Sequence, residues 1–366
     1  MSGRRVIISG GGTGGHLYPA LVVGRKLREM DPSVELTYVG TDRDVEKKIM
    51  EEHGVRLVPM RIEGLKGRGL RSLRALVLLP GSFAQAFAIL RRTRPALVIG
   101  VGGYSSGPIV LLASRLGIPT LVLEQNARPG FTNRLLARWV RKAVVAFESS
   151  LPYFKGKGVC LGNPVREAFY GLPSKPRDGN LAVLVFGGSQ GSHFLNGRMT
   201  AALPLLAPVR ERFRILHQTG PKDLESVAAA YRANGFDAGG VAAYVTDMPS
   251  AFGRADLVVC RAGATTLAEL IAARKASLLV PFAGASEDHQ SANARAVEVL
   301  GGAEVIPESR LTPEVLAGRL FHYLNHPAGI DAMERSLLTL RAENPAEKIA
   351  ALCLSLMDGR PGEMPS

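Results

Sequence analysis

Val6-Ile7-Ile8-Ser9 runs straight into Gly10-Gly11-Gly12-Thr13-Gly14-Gly15-His16, and in the other half of the chain Leu181 to Phe186 runs into Gly187-Gly188-Ser189-Gln190-Gly191. A short apolar run that ends in glycines and gives way to a helical pattern is the strand–turn–helix start of a parallel α/β sheet. Glycine at such a turn lets backbone N–H groups and a helix N-terminus approach an anion closely. The same rhythm continues through the chain. Strand-like runs fall near 4–9, 34–39, 55–59, 96–101, 118–123 and 142–146, then near 181–186, 212–217, 241–244, 256–260, 276–280 and 303–306, with helical patterns between them. Two doubly wound parallel sheets are therefore expected, and their ligands should bind beyond the carboxyl ends of the strands, where both glycine turns lie.

Gly162-Asn163-Pro164 and the polar stretch Pro173 to Asn180 mark the join between the halves. We place an N-terminal domain at 1–163 and a C-terminal domain at 164–342. Helical patterns follow at roughly 330–341 and 345–357, and the last of these, about 343–357, is expected to dock back on the first domain. The 366 residues suit two cores. Cys160, Cys260 and Cys353 have no pairing or zinc-ligand spacing, which points to a reducing compartment. The N-terminus enters a strand without a charged and then apolar leader, so no signal peptide is expected.

Net charge is +13 and sits in one half: residues 1–164 hold 25 Lys and Arg against 11 Asp and Glu. The first domain should therefore meet a polyanion or an anionic membrane. No nucleic-acid motif accompanies the charge, and aromatic residues, 6% of the chain, are not interleaved with the basic stretch, so nucleic acid is not the expected partner. The charge concentrates around 66–94. Eight basic residues stand against Glu63 alone between 61 and 94, and they flank an uncharged run of 16 residues from Ala75 to Leu90. Pro80-Gly81 interrupts that run, which is too short and too broken to span a bilayer. Leu76, Leu79, Phe83 and Phe87 beside Arg71 and Arg74 suit a helix dipping into an anionic surface. A buried core helix is the other reading.

Several segments carry candidate chemistry. Gly10, Gly12 and Gly15 satisfy G-x-G-x-x-G with Asp42 after the second strand, a weak dinucleotide signal that the extra glycines and His16 make less apt. His16 at the mouth of the turn is poorly explained by packing; His53, His193, His217, His322 and His326 read as surface or core. Gly102-Gly103-Tyr104-Ser105-Ser106-Gly107-Pro108 is a third glycine turn, and Glu124-Gln125-Asn126 closes the fifth strand. In the second half, Gly187 to Gly191 could wrap a pyrophosphate. Arg261 to Glu269 follows a strand and opens a helix whose first N–H groups and threonine hydroxyls suit a phosphate, with Glu269 placed to take a ribose diol. Gln290 and Asn293 offer amides to sugar hydroxyls. Asp42-Arg43-Asp44 spells D-x-D, but it begins a helix, where acids serve as caps and dipole partners. No metal site and no cofactor are expected.

Seven motifs stand in one order: Gly10–His16, Gly102–Pro108, Glu124–Asn126, Gly162–Arg166, Gly187–Gly191, Arg261–Glu269 and His289–Asn293. In this the chain resembles the MurG family, peptidoglycan N-acetylglucosaminyltransferases of glycosyltransferase family 28, over nearly its whole length. Leu123 departs from the His often found before Glu-Gln-Asn, and Ser105-Ser106 replaces a more usual Val-Ser. The resemblance implies a GT-B fold, two Rossmann-like domains facing across a cleft. It also implies inverting transfer of GlcNAc from UDP-GlcNAc to the muramyl 4-hydroxyl of lipid I, giving lipid II at the cytoplasmic face of the plasma membrane, alongside other cell-wall synthesis proteins. Thr13, Gly14, Gly15, Asn126, Arg166, Ser189, Val245, Ala264, Thr265, Thr266, Leu267, Ala268, Glu269 and Gln290 then look like donor contacts. Gly12 and Tyr104 fall on the acceptor side. His16 looks like the general base, its ordinary pKa of about 6.5 suiting that work, and Glu124 competes for the role. Another GT-B transferase with a lipid acceptor is the alternative; UDP-GlcNAc 2-epimerases share the scaffold but leave 66–94 unexplained.

Overall fold

The computed structural model describes residues 4–11, 14–62, 70–173, 177–188, 190–284, 288–340 and 344–359, without the side chains at 45, 49, 52, 70–79 and 340. The chain divides into two compact units, Met1–Arg166 with Asn344–Ser366, and Glu167–Glu343.

Each unit is a parallel sheet wound with helices. In the first, strands β1 (Arg4–Ser9), β2 (Val34–Gly40), β3 (Leu57–Pro59), β4 (Leu97–Gly100), β5 (Thr120–Glu124), β6 (Lys142–Val145) and β7 (Gly158–Cys160) lie in the order β3-β2-β1-β4-β5-β6-β7. Helices α1 (Gly14–Met30), α2 (Asp44–Glu52), α3 (Leu70–Thr93), α4 (Ser106–Arg115) and α5 (Phe131–Leu136) connect them. The second unit orders β8 (Leu181–Phe186), β9 (Phe213–Gln218), β10 (Val241–Ala242), β11 (Leu257–Cys260), β12 (Ser277–Leu279) and β13 (Glu304–Val305) as β10-β9-β8-β11-β12-β13. Its helices are α6 (His193–Leu206), α7 (Leu224–Ala233), α8 (Met248–Arg254), α9 (Ala264–Ala273), α10 (His289–Glu298), α11 (Pro313–Asn325) and α12 (Ala328–Leu340). The central strands are apolar throughout and buried on both faces, as parallel strands covered by helices must be.

The strand order reverses direction beside β1 in one unit and beside β8 in the other. In open α/β sheets that reversal opens the crevice where ligands bind. The turn after β1 thereby meets the turn after β4, and the turn after β8 meets the segment after β11.

Three features differ from the sequence reading. β7 was not expected: it is three residues long, half-buried, and begins at a glycine, so it carries little of the pattern that marks a strand. The run around Pro80-Gly81 is not broken. α3 continues through it, burying Ser82, Ala86 and Leu90 at helical spacing while Phe87 on another face stays 43% exposed. Among the described residues, no helix is long and apolar enough to cross a membrane. Third, the first unit extends to Arg166, whose guanidinium lies over the Tyr18 ring, 5.3 Å from its centroid. The C-terminal helix α13 (Ala346–Met357) packs against α1, adding Ile349, Leu352, Cys353 and Leu356 to the core around Val6, Ile8 and Val23.

Candidate active site

In the first unit, β1 delivers Gly10 and Gly11 to the switch point, and α1 opens with Gly14 and Gly15 and presents His16, half-buried, in its first turn. The imidazole lies on the backbone of Gly102. That residue has φ +95°, and a Cβ there would come within 2.8 Å of His16 Cδ2 and 2.9 Å of Nε2, so only glycine allows the two turns to close together. Tyr104 beyond it is 37% exposed. Gly12 and Thr13 lie outside the described residues.

Beneath this turn sits a carboxylate the sequence did not flag. Glu46 of α2 is fully buried, its Oε2 accepting from the Thr41 N–H at 2.7 Å and its Oε1 from the Thr41 hydroxyl. Both oxygens lie within 2.7 Å of the place a Cβ on Gly11 would take. The Glu46 carboxyl thus fills the space beneath Gly11.

Glu124, expected as a possible base, is turned inward. It is 3% exposed, and each of its oxygens accepts two hydrogen bonds. Oε1 takes Asn126 N at 2.9 Å and Asn126 Nδ2 at 3.0 Å, while Oε2 takes Gly130 N and Asn133 Nδ2, both at 2.9 Å. Burial raises its pKa, and the four donors pull against that rise. All four of these donors come from the 126–133 segment. Its place is to fix the 124–130 loop and the half-buried Asn126 amide.

The second unit is built differently. Gly191, at φ +75°, passes so near the neighbouring strand end that a Cβ would lie 1.9 Å from the Thr219 carbonyl oxygen. Gln218, at the end of β9 and 1% exposed, ties this turn down: Nε2 donates to Gly188 O and Oε1 accepts from Val245 N, each at 2.8 Å. Val245 is therefore held to the glycine turn through one buried amide. Ser189 lies outside the described residues.

Across the switch point, Arg261 follows β11, 8% exposed. It donates to Ser192 Oγ at 2.9 Å and Val280 O at 3.1 Å, and it pairs with Glu308 at 2.6 Å. α9 then begins with Gly263 as N-cap and no side-chain cap, so the half-buried Ala264, Thr265 and Thr266 bring a positive helix end to the site. Ala268 and Glu269 are half-buried one turn on. Leu267, in the same turn, has a fully buried side chain, and its N–H donates to Gly263 O at 2.9 Å. Gln290 Oε1 accepts from Ala262 N at 3.2 Å and Phe282 N at 2.9 Å, which aims its amide NH2 away from these partners.

Residues 6–145 match the glycosyltransferase family 28 N-terminal domain and residues 182–351 the family's C-terminal domain. A Myxococcus xanthus (strain DK1622) protein is 45% identical over 96% of this chain and 93% of its own length, and one from Syntrophus aciditrophicus (strain SB) is 44% identical over 96% and 99%. Both are named UDP-N-acetylglucosamine–N-acetylmuramyl-(pentapeptide) pyrophosphoryl-undecaprenol N-acetylglucosamine transferase. The crystal structure of Acinetobacter baumannii MurG superposes with a TM-score of 0.79 at 29% identity, covering 96% of this chain and 99% of that one. The chain belongs to the MurG family of glycosyltransferase family 28.

The candidate site residues separate by unit. Gly14, Gly15, His16, Tyr104, Asn126 and Arg166 are carried by the first unit; Val245, Ala264–Glu269 and Gln290 by the second. Gln218 and Glu46 were missed because a lone polar residue at a strand end or inside a helix looks solvent-exposed in sequence. The apolar run Phe213–Leu216 just before Gln218 was the available hint. On α3, Phe83 is half-buried and Phe87 is exposed with the Arg91 guanidinium 5.9 Å from its ring centre. The side chains of Arg71, Arg74, Leu76 and Leu79 lie outside the described residues.

Proposed function

We propose that this chain transfers GlcNAc from UDP-GlcNAc to the 4-hydroxyl of the muramyl residue of lipid I, forming lipid II with inversion at the anomeric carbon. The observation that carries the reading is the full-length match to transferases named for that reaction. The geometry supports it in parts. The glycine turn at 187–191 and the uncapped N-terminus of α9 supply backbone N–H groups suited to the donor diphosphate, and Glu269 and Gln290 lie near for the sugar and ribose hydroxyls. His16 takes the proton of the acceptor hydroxyl as its oxygen forms a bond to C1. The C1–O bond to the diphosphate breaks with its electron pair passing to UDP. The second unit's N–H groups and helix dipole stabilise the charge that develops on the leaving group, and Arg166 adds its positive charge. Glu124, with both oxygens already bonded four times, holds Asn126 in place and leaves the base role to His16.

The same reading places the protein at the cytoplasmic face of the membrane as a peripheral protein. Support comes from the basic excess of residues 1–164 and the exposed Phe87 beside Arg91 on α3. Anionic vesicles should sediment it at physiological salt where neutral vesicles and duplex DNA do not; DNA binding without vesicle binding would overturn this placement.

The decisive test is incubation with labelled UDP-GlcNAc and a lipid I analogue, where label must enter the lipid phase. Label recovered only as an epimerised nucleotide sugar would sink the proposal. His16→Asn should lower kcat by about 10²–10⁴ while leaving KM for UDP-GlcNAc nearly unchanged, and near wild-type turnover would remove His16 from the role.

A further inference from the structure

Arg261 directs its N–H groups at the protein itself. Nε and Nη2 both donate to Ser192 Oγ, at 3.2 and 2.9 Å, and Nη1 donates to Val280 O at 3.1 Å. The guanidinium carbon lies 5.4 Å from the ring centres of both Phe194 and Phe282. The side chain thus joins the start of α6 to the segment that leaves β12. What it grips matters for the donor site, because Ser192 closes the glycine turn. Ser192 follows Gly191, and a Cβ on Gly187, at the other end of the turn, would fall 2.2 Å from Ser192 Cβ. Both ends of the turn rest on the residue whose hydroxyl Arg261 holds.

Glu308, three residues beyond β13 and in none of the sequence motifs, sets Arg261 in place. Its Oε1 pairs with Arg261 Nη2 at 2.6 Å, and its Oε2 accepts from Ala283 N at 3.4 Å. The preceding residue, Phe282, donates its N–H to Gln290 Oε1, which also accepts from Ala262 N. One carboxylate therefore ties the guanidinium to the same 280–283 segment that orients the Gln290 amide. The two side chains are only 9% and 18% exposed, so salt and water screen their attraction weakly.

We propose that Glu308 is a positioning residue of the donor site: acting through Arg261, it holds Ser192, and with it the glycine turn at 187–191, in register for the donor diphosphate. The planar fork of a guanidinium is aimed by the acceptors around it. Without the carboxylate, Arg261 keeps Val280 O but loses the anion that fixes its fork, and the grip on Ser192 loosens. The inference rests on the second unit binding UDP-GlcNAc, as proposed above.

The test is calorimetry of the full chain with UDP and with UDP-GlcNAc, in the absence of acceptor. Glu308→Ala should raise Kd for both about tenfold, the low end for losing a charge-assisted hydrogen bond. Glu308→Gln keeps an acceptor for Nη2 and should bring Kd back to within about threefold of wild type. A glutamate that only supports the fold behaves otherwise: fewer molecules bind, so the stoichiometry falls while Kd keeps its wild-type value, and that result overturns the proposal. Ser192→Ala is a second arm that leaves the ion pair intact, and it should weaken UDP about as much as Glu308→Ala. Combining the two should be no worse than either alone, because both act along one path. A combined variant weakened about a hundredfold, the product of the separate effects, would refute the route through Ser192. These shifts in Kd in a protein that transfers no GlcNAc to lipid I would uphold the positioning and refute the reaction, so the two failures are distinguishable.

Discussion

Acid should destabilise the second unit through one residue, His217. Its ring is fully buried on β9, with Nδ1 3.1 Å from the Tyr231 hydroxyl and Nε2 3.1 Å from Asn196 Oδ1. Burial pulls its pKa down to about 4, against 6.5 in an exposed imidazole, with the Asp223 charge opposing part of the drop. The folded state therefore refuses a proton that the unfolded chain accepts. Above pH 6.5 neither state binds it and stability is full. Between 6.5 and 4 the unfolded chain holds more protons, and stability falls as pH falls. From pH 7 to pH 5 the loss is about 2 kcal/mol, and it approaches about 3 kcal/mol near pH 4. For a unit of this size that corresponds to a fall of about 4–8 °C in Tm at pH 5. The window is separate from that of Asp223, whose carboxyl is held below its ordinary range chiefly by the Asn196 amide and which protonates at lower pH. The effect reaches the site, because the same Asn196 amide donates to Thr219 O, the carbonyl against which Gly191 packs. Thermal unfolding at pH 5, 6 and 7, with and without UDP, measures it. His217→Gln should lower the midpoint at pH 7 but flatten its dependence between pH 7 and 5. A slope unchanged by the substitution, or a His217 resonance that titrates near 6.5, would refute the reasoning.

Gln218→Met leaves Gly188 O and Val245 N without their shared partner, and KM for UDP-GlcNAc should rise about tenfold, the equivalent of one hydrogen bond, with kcat within a few-fold; an unchanged UDP affinity by calorimetry would show that the clamp is idle. Gly191→Ala puts a methyl group against Thr219 O at a backbone angle suited to glycine, so UDP binding should be lost together with about 2 kcal/mol of stability, read by urea unfolding. Glu124→Gln turns an NH2 toward N–H donors and should lower stability by about 2–4 kcal/mol; if Glu124 were instead a surface-facing base, the thermal midpoint would not move.

Much of this molecule was legible in the order of its residues. Apolar runs such as Val6–Ser9 and Leu181–Phe186 announce buried parallel strands, because nothing else packs so little polar surface between two helical layers. The glycines that follow mark the carboxyl ends where ligands bind, and His16 stood out because no packing role explains an imidazole there. The basic excess of residues 1–164 is a property of composition and needs no coordinates.

What escaped reading was decided by contacts between segments far apart in the chain. Local pattern reports periodicity and backbone permissiveness, but not which strand lies beside which. Only the order β3-β2-β1-β4 brings Gly102 under His16. Within the motifs that suggest contact with substrate, the fold turns the Glu124 carboxylate onto Asn126, Gly130 and Asn133 and the Leu267 side chain into the core. Gln218 and Glu46 have no motif at all; their importance lies in burial, which makes each of their hydrogen bonds count. Sequence alone determined the sheets, the turns and the half of the chain that carries the charge. The tertiary structure decided which side chains at those turns face inward, because direction at a strand end is set by the neighbours that the sheet order supplies.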